Sequence, residues 1–142
     1  MNTYESKQKQ LLRSQIDVYN IMTDMRRLQP IIEALPEEQK NKINLQDIQF
    51  SQDSVSFKVQ TLGNVVLRIV DKDEPKTIKF GADNFPVHFN FWIQFVGVAD
   101  TDTRMKLTLK ADIPLMLKPM IGNKLSDGIE RMADMIAMAL NR

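Results

Sequence analysis

An α+β fold follows from two changes of period along the chain. Between Ile43 and Ile113 apolar side chains recur at every second residue, the pattern of strands with one buried face. Beyond Pro114 the period is helical: Leu125, Ile129, Met132, Ile136 and Leu140 step by four, three, four and four, which puts them on one stripe. Short turn-forming connections inside the first region pair its strands antiparallel, as a meander.

The elements can be justified in order. Tyr4 to Leu12 reads as a polar-rich extended segment and supplies a first strand. Ser14, with Asp17 three residues later, has the form of a capping box, in which the acid reaches back to the free amide at the cap. Ile16, Tyr19, Ile21 and Met22 would then be the apolar side of a short helix. Asp24 is placed to cap a second short helix through Leu28. Pro30 fits the first turn of a third, where its missing N–H costs nothing, with Ile31, Ile32 and Leu35 turned inward. Pro36-Glu37-Glu38 opens one more turn, its acids close to a helix N-terminus.

Six further strands are expected at about 44–50, 54–61, 64–71, 76–82, 88–98 and 104–112, making about seven in all. Ser51-Gln52-Asp53, Leu62-Gly63-Asn64, Asp71 to Pro75 and Asp100-Thr101-Asp102 are the turns, and Asp83 to Val87 is a longer joint. Alternation sets Phe89, Phe91, Ile93 and Phe95 against Asn90, Trp92 and Gln94. It sets Met105, Leu107 and Leu109 against Arg104, Lys106, Thr108 and Lys110, and gathers Val55, Phe57 and Val59. One face of the sheet is therefore apolar and the other mostly solvated. Asp112 and Pro114 suggest the start of the last helix, and Pro119 with Gly122 suggests a kink or break near its beginning.

Composition narrows the function. The 142 residues are the size of one ordinary domain, and no linker or repeat divides residues 1–142. Nineteen basic and eighteen acidic side chains give a net charge of +1, without the basic excess that phosphate neutralisation demands, so nucleic acid is not an expected partner. With no cysteine, disulfides, thiolate metal sites and cysteine nucleophiles are excluded. The N-terminus lacks the apolar core of a signal peptide, and no run approaches the roughly 18 apolar residues of a membrane span. A cytoplasmic protein is the expectation.

Local wording adds a resemblance. Ser14-Gln15-Ile16-Asp17-Val18-Tyr19 with Thr23-Asp24 resembles the first-helix region of the START-like superfamily, also called SRPBCC or polyketide cyclase-like. Thr103-Arg104-Met105-Lys106-Leu107 resembles its penultimate-turn strand. Leu117 to Gly122, Gly128-Ile129 and Met132-Ala133 resemble its closing helix. The resemblance implies a helix-grip fold, in which a curved sheet of about seven strands wraps around the C-terminal helix. It also implies a cavity between the two that could hold a hydrophobic or amphipathic small molecule. Its lining would come from Phe57, Phe80, Phe91, Ile93, Phe95, Met105 and Leu107 on the sheet and Leu125, Ile129 and Met132 on the helix. In an ordinary sheet-on-helix domain the same side chains would simply be core. The joint at 83–87 and the region of Pro119 and Gly122 would form the mouth.

No catalytic or metal constellation emerges, and no cofactor is implied. His88 stands alone, at a strand end or on the solvated face, without a partner for acid–base work. The acids Asp53, Asp71, Asp73, Glu74, Asp100 and Asp102 fall in turns at one end of the meander, but Asp favours turns anyway and no calcium-loop spacing is present. Glycine-rich phosphate loops and nucleophile elbows are absent. Five of nine methionines, Met116, Met120, Met132, Met135 and Met138, lie in the last segment and suit either simple core packing or an adaptable apolar pocket lining. Met135 and Met138 fall partly off the main stripe, which leaves room for a homodimer contact, and Trp92 could mark a protein-binding surface. Three readings follow: a binding module for an apolar small molecule, an interaction or regulatory domain with a closed core, and an enzyme of cyclase or dehydratase type.

Overall fold

The first extended segment forms two strands rather than one. β1 (Asn2–Glu5) and β2 (Lys9–Leu11) both pair antiparallel with the same neighbour, β8 (Asp102–Ala111). Glu5 lies opposite Thr108 and Lys9 opposite Met105, so the ribbon carries one residue more than its partner at the break. Ser6 fills the gap: its N–H donates to Leu107 O, and its Oγ accepts from Leu107 N–H, both at 2.9 Å. The side chain thus does the work of a ladder carbonyl.

The computed structural model describes residues 2–38, 46–59, 63–83, 85 and 87–141. After β2 come α1 (Gln15–Thr23), a 3₁₀ turn (Met25–Arg27) and α2 (Leu28–Glu33). The meander follows as β3 (Gln46–Phe50), β4 (Ser54–Val59), β5 (Gly63–Asp73), β6 (Thr77–Asp83), β7 (Phe89–Ala99) and β8, and α3 (Lys118–Leu140) closes the chain. The sheet order is β1-β8-β7-β6-β5-β4-β3, antiparallel throughout, with β2 beside β1 on the edge of β8. Glu37 and Glu38 after Pro36 are helical, as expected; residues 39–45 and 60–62, where strand ends at 44–45 and 60–61 and the start of a turn at Leu62 were expected, lie outside the described residues.

Several local expectations are corrected. Ser14 Oγ does accept from Asp17 N–H, at 3.2 Å, but the Asp17 carboxylate turns to Arg13 Nη1 at 3.0 Å instead of back to the cap. Ile16 is largely exposed, and Val18, Tyr19, Ile21 and Met22 form the buried side of α1. Asp24 gives no side-chain cap because a nearby guanidinium competes for its oxygens: it accepts from Arg26 Nε and Nη2 at 2.9 and 3.0 Å. The last helix starts at Lys118, not at Asp112 or Pro114, and runs unbroken through Gly122. Pro119 sits in its first turn, where no intrahelical N–H is required, so it does not kink the helix.

At about 1.5 Å per residue, the 23 residues of α3 span roughly 34 Å. Among the described residues its buried side chains, Ile129, Ala133, Met135, Ile136, Ala139 and Leu140, lie in the C-terminal half, with Leu125 half-buried against the same core. The N-terminal ribbon fastens that half. Lys7 N–H donates to Glu130 Oε1 at 2.9 Å, and Leu12 N–H donates to Asn141 Oδ1 at 2.8 Å. Arg13 Nε donates to Leu140 O at 2.7 Å, satisfying a carbonyl that a helix end leaves free.

Candidate ligand cavity

Between the inner face of the sheet and the packed half of α3 lies a cavity of about 30 Å³. The sheet contributes Ile48 and Phe50 from β3, Val55 and Phe57 from β4, Leu67 from β5, Phe80 from β6, and Phe91 and Ile93 from β7. Met22, Met25 and Leu28 close it from the N-terminal helical region, and Met132, Met135 and Ile136 close it from α3. These side chains share a face because cross-strand partners do: Val55 is opposite Leu67, Ile78 opposite Ile93, and Phe80 opposite Phe91. The Phe80 and Phe91 rings are tilted by 52° with centroids 5.7 Å apart, a favourable aromatic arrangement.

The wall side chains named here are all apolar. Among the described residues no ionisable side chain lines the cavity, and no buried side-chain nitrogen or oxygen lacks a hydrogen-bond partner. None of these wall side chains can donate or accept a proton. Ile48, Phe50 and Met132 are only partly buried, so the cavity comes nearest to solvent between β3 and α3.

Of the ten residues read from the sequence as a lining, Phe57, Phe80, Phe91, Ile93 and Met132 meet here. Phe95, Met105, Leu107 and Ile129 are buried in the same core but do not reach the cavity, and Leu125 is half-buried and also stands away from it. The reason is the lie of the helix. α3 packs along β1, β2 and β8, so inner side chains on that side of the sheet are filled by direct contact and the free space moves toward β3–β7. None of the described residues of the expected mouth at 83–87 and 119–122 lines this cavity; residues 84 and 86 and the side chains of 121 and 122 lie outside those described. Met135 is buried in the cavity wall rather than turned outward for a dimer, and Met116 and Met120 stand in solvent.

Sequence reasoning missed Met22, Met25, Leu28, Ile48, Phe50, Val55, Leu67 and Ile136 as wall residues, while Met135 was among the methionines open to a pocket lining. Alternation did assign Val55 to the inner face. The N-terminal methionines carried no signal, because the face of the sheet they cover is decided by long-range topology.

The other candidates lie elsewhere. His88 is exposed just before β7, its carbonyl accepting from Asp112 N–H at 3.0 Å. Arg68 holds two turn and strand acids, with Nη1 at 3.5 Å from Asp53 Oδ1 and Nη2 at 3.0 Å from Asp83 Oδ2. Arg104 holds Asp102 at 3.0 Å and keeps its carboxyl below the usual carboxylate range. Among the described residues no three His, Cys, Asp or Glu side chains are grouped to hold a metal ion. Trp92 lies on the outer face, with Lys79 Nζ and Lys110 Nζ at 5.6 and 5.8 Å from its ring centroid.

This architecture recurs among solved structures. Norcoclaurine synthase from Thalictrum flavum, solved with dopamine and hydroxybenzaldehyde, is similar at a TM-score of 0.70 and 11% identity, covering 96% of this chain and 84% of that one. A START superfamily protein from Mycobacterium smegmatis gives 0.59 at 11% identity, covering 97% and 96%. An HSP90 activator from Plasmodium falciparum gives 0.50 at 15% identity, covering 79% and 74%. No family model matches the sequence, and no curated protein matches it. The chain has the START-like helix-grip fold: an antiparallel curved sheet of eight strands around a long C-terminal helix. Among the described residues, no helix is long and apolar enough to cross a membrane.

Proposed function

We propose that the domain binds a small hydrophobic molecule, or the apolar end of an amphipathic one, in the cavity between the sheet and α3. The observation that supports this reading is the wall itself, apolar in each of its described residues and built from elements that the helix-grip fold brings together. A void of about 30 Å³ is far below the roughly 300–1,000 Å³ of an ordinary ligand site. Binding therefore requires the wall to move. Met22, Met25, Met132 and Met135 suit that, because an unbranched thioether changes shape at little cost. None of the described wall residues is an acid or base, which supports binding without chemistry on the bound molecule. Norcoclaurine synthase, for all its likeness of fold, is a guide here to architecture and not to reaction.

The small void favours a second reading, an interaction or regulatory domain whose core stays closed. One experiment separates the two: native mass spectrometry of the protein from its own source, followed by thermal-shift screening against fatty acids, sterols and aromatic polyketides. A ligand that binds only the folded state at about 100 times its Kd adds about 2.7 kcal/mol to stability and raises Tm. A co-purified mass or a shift that follows ligand concentration is expected. Neither, in a screen of all three classes, leaves the closed-core reading.

A further inference from the structure

Where α3 begins, large apolar side chains stand in solvent. Leu115 is 82% exposed, Met116 88% and Met120 66%, with Leu117 beside them less so. Scattered apolar residues are normal on a surface, but a run of four at one tip is not. The tip is held in shape by two successive turns: Leu117 N–H donates to Pro114 O at 2.9 Å, and Met120 N–H to Leu117 O at 3.0 Å. Met120 precedes the inward-facing Leu125 by five residues, about 140° around the helix, so it serves neither the core nor the cavity. Lys118 and Lys124 are exposed in the same stretch, and no acid occurs from Ile113 to Ser126; Asp112 and Asp127 bound it.

We propose that this tip docks the protein on the surface of an anionic lipid bilayer. Leucine and methionine side chains would enter the interface, while lysines remain at the level of the headgroups, the division of labour of peripheral amphipathic anchors. A second copy is a poor occupant, because a two-fold contact through this tip would set Lys118 and Lys124 among their own copies. With three or four inserted side chains and two cations, the attachment is weak and reversible.

The test is co-sedimentation of the full chain with vesicles of phosphatidylcholine, alone or mixed with phosphatidylserine. Binding to the mixed vesicles is expected, and it should weaken as salt rises from about 0.1 to about 0.5 M, where screening shortens. The triple variant L115S/M116S/M120S alters only exposed side chains. It should keep the wild-type circular dichroism and lose about tenfold or more in vesicle affinity. K118E/K124E should remove the gain from phosphatidylserine. Absence of binding to mixed vesicles, or equal binding by the triple variant, overturns the proposal. So does a dimer, seen by sedimentation velocity, that the triple variant dissolves while vesicles capture nothing.

Discussion

A Cβ built on Gly97 would stand 2.8 Å from Gln15 Oε1 and 3.3 Å from its Cβ. Gln15 is poorly placed to step aside, since its amide is bonded at both ends. Nε2 donates to Pro75 O and Phe95 O, each at 3.2 Å, and Oε1 accepts from Gly97 N–H at 3.2 Å. One side chain thus fixes the start of α1 against β7 and the β5–β6 turn. Gly97→Ala is expected to cost about 1–3 kcal/mol, from overpacking and the bonds displaced with it. Gln15→Ala should cost less and should remove most of the penalty of the glycine change in the double variant. Urea denaturation of the four proteins measures that coupling, and strictly additive losses would show that the two residues do not act together. None of this was legible beforehand, because Gln15 and Gly97 are 82 residues apart and each looks ordinary in its own segment. Ile129 is the opposite case. Its place on the helical stripe was readable from spacing alone, and it is buried in the core cluster. Ile129→Asp would bury an unpaired charge and should destabilise by several kcal/mol, whereas a loss within about 0.5 kcal/mol would contradict its burial.

Between elements, the tie that holds α3 to the N-terminal ribbon is electrostatic as well as hydrogen-bonded. Lys9 Nζ, on a partly buried side chain, pairs with Glu130 and lies 2.8 Å from Asp134 Oδ1. The Asp134 and then the Glu130 carboxylates raise the Lys9 ammonium above its ordinary pKa, and Lys9 holds the Glu130 carboxyl below the usual range. For the lysine, the stabilisation is complete below its ordinary pKa and is lost as pH rises through the raised value. For Glu130 it is present above the ordinary carboxylate value and lost as pH falls through the lowered one. The clamp is therefore whole between mildly acidic and mildly alkaline pH. Lys9→Met should cost roughly 1–2 kcal/mol at pH 7, and the difference from wild type should shrink as acid neutralises Glu130. Denaturation at pH 7 and at about pH 3 tests this; an undiminished difference in acid would mean that the lysine acts through its methylenes alone. The strands and α3 themselves were plain from period, because each buries one face. The break between β1 and β2 was not, since a serine standing in for a backbone carbonyl leaves no mark on hydrophobic pattern. The start of α3 was misjudged because Pro114 and Pro119 are both acceptable near a helix N-terminus, and only packing chooses.

Taken whole, the molecule is unevenly built, and the unevenness coincides with the cavity. β6, β7 and β8 each have neighbours on both sides, and their inner faces carry Ile78, Phe80, Ile93, Met105 and Leu107, all but fully buried. β3 is an edge strand with an irregular register between Gln46 and Gln49, and Asp47 there has a φ of 54°, a conformation uncommon for a residue with a Cβ. The partly buried wall residues are Ile48 and Phe50 of this strand and Met132, with Met25 and Leu28 buried beside them. The fold could be read from sequence because a sheet and a helix must each hide a stripe. The position of the cavity could not, since it is the space left over after α3 has chosen β8 rather than the middle of the sheet to lie on. If the wall is to admit a molecule, it should open where it is least supported. Amide exchange of Ile48, Phe50 and Leu28 is then expected to be faster than that of Phe91, Ile93 and Leu107, reflecting local opening and not global unfolding. A bound apolar molecule should slow the first group selectively, because binding to the closed or refilled wall penalises the open state. Hydrogen exchange read residue by residue, with and without any molecule found to raise Tm, checks this. Uniform protection across both groups would mean the β3 side does not open on its own, and a molecule that protected only the surface of α3 near Met120 would place binding outside the cavity altogether.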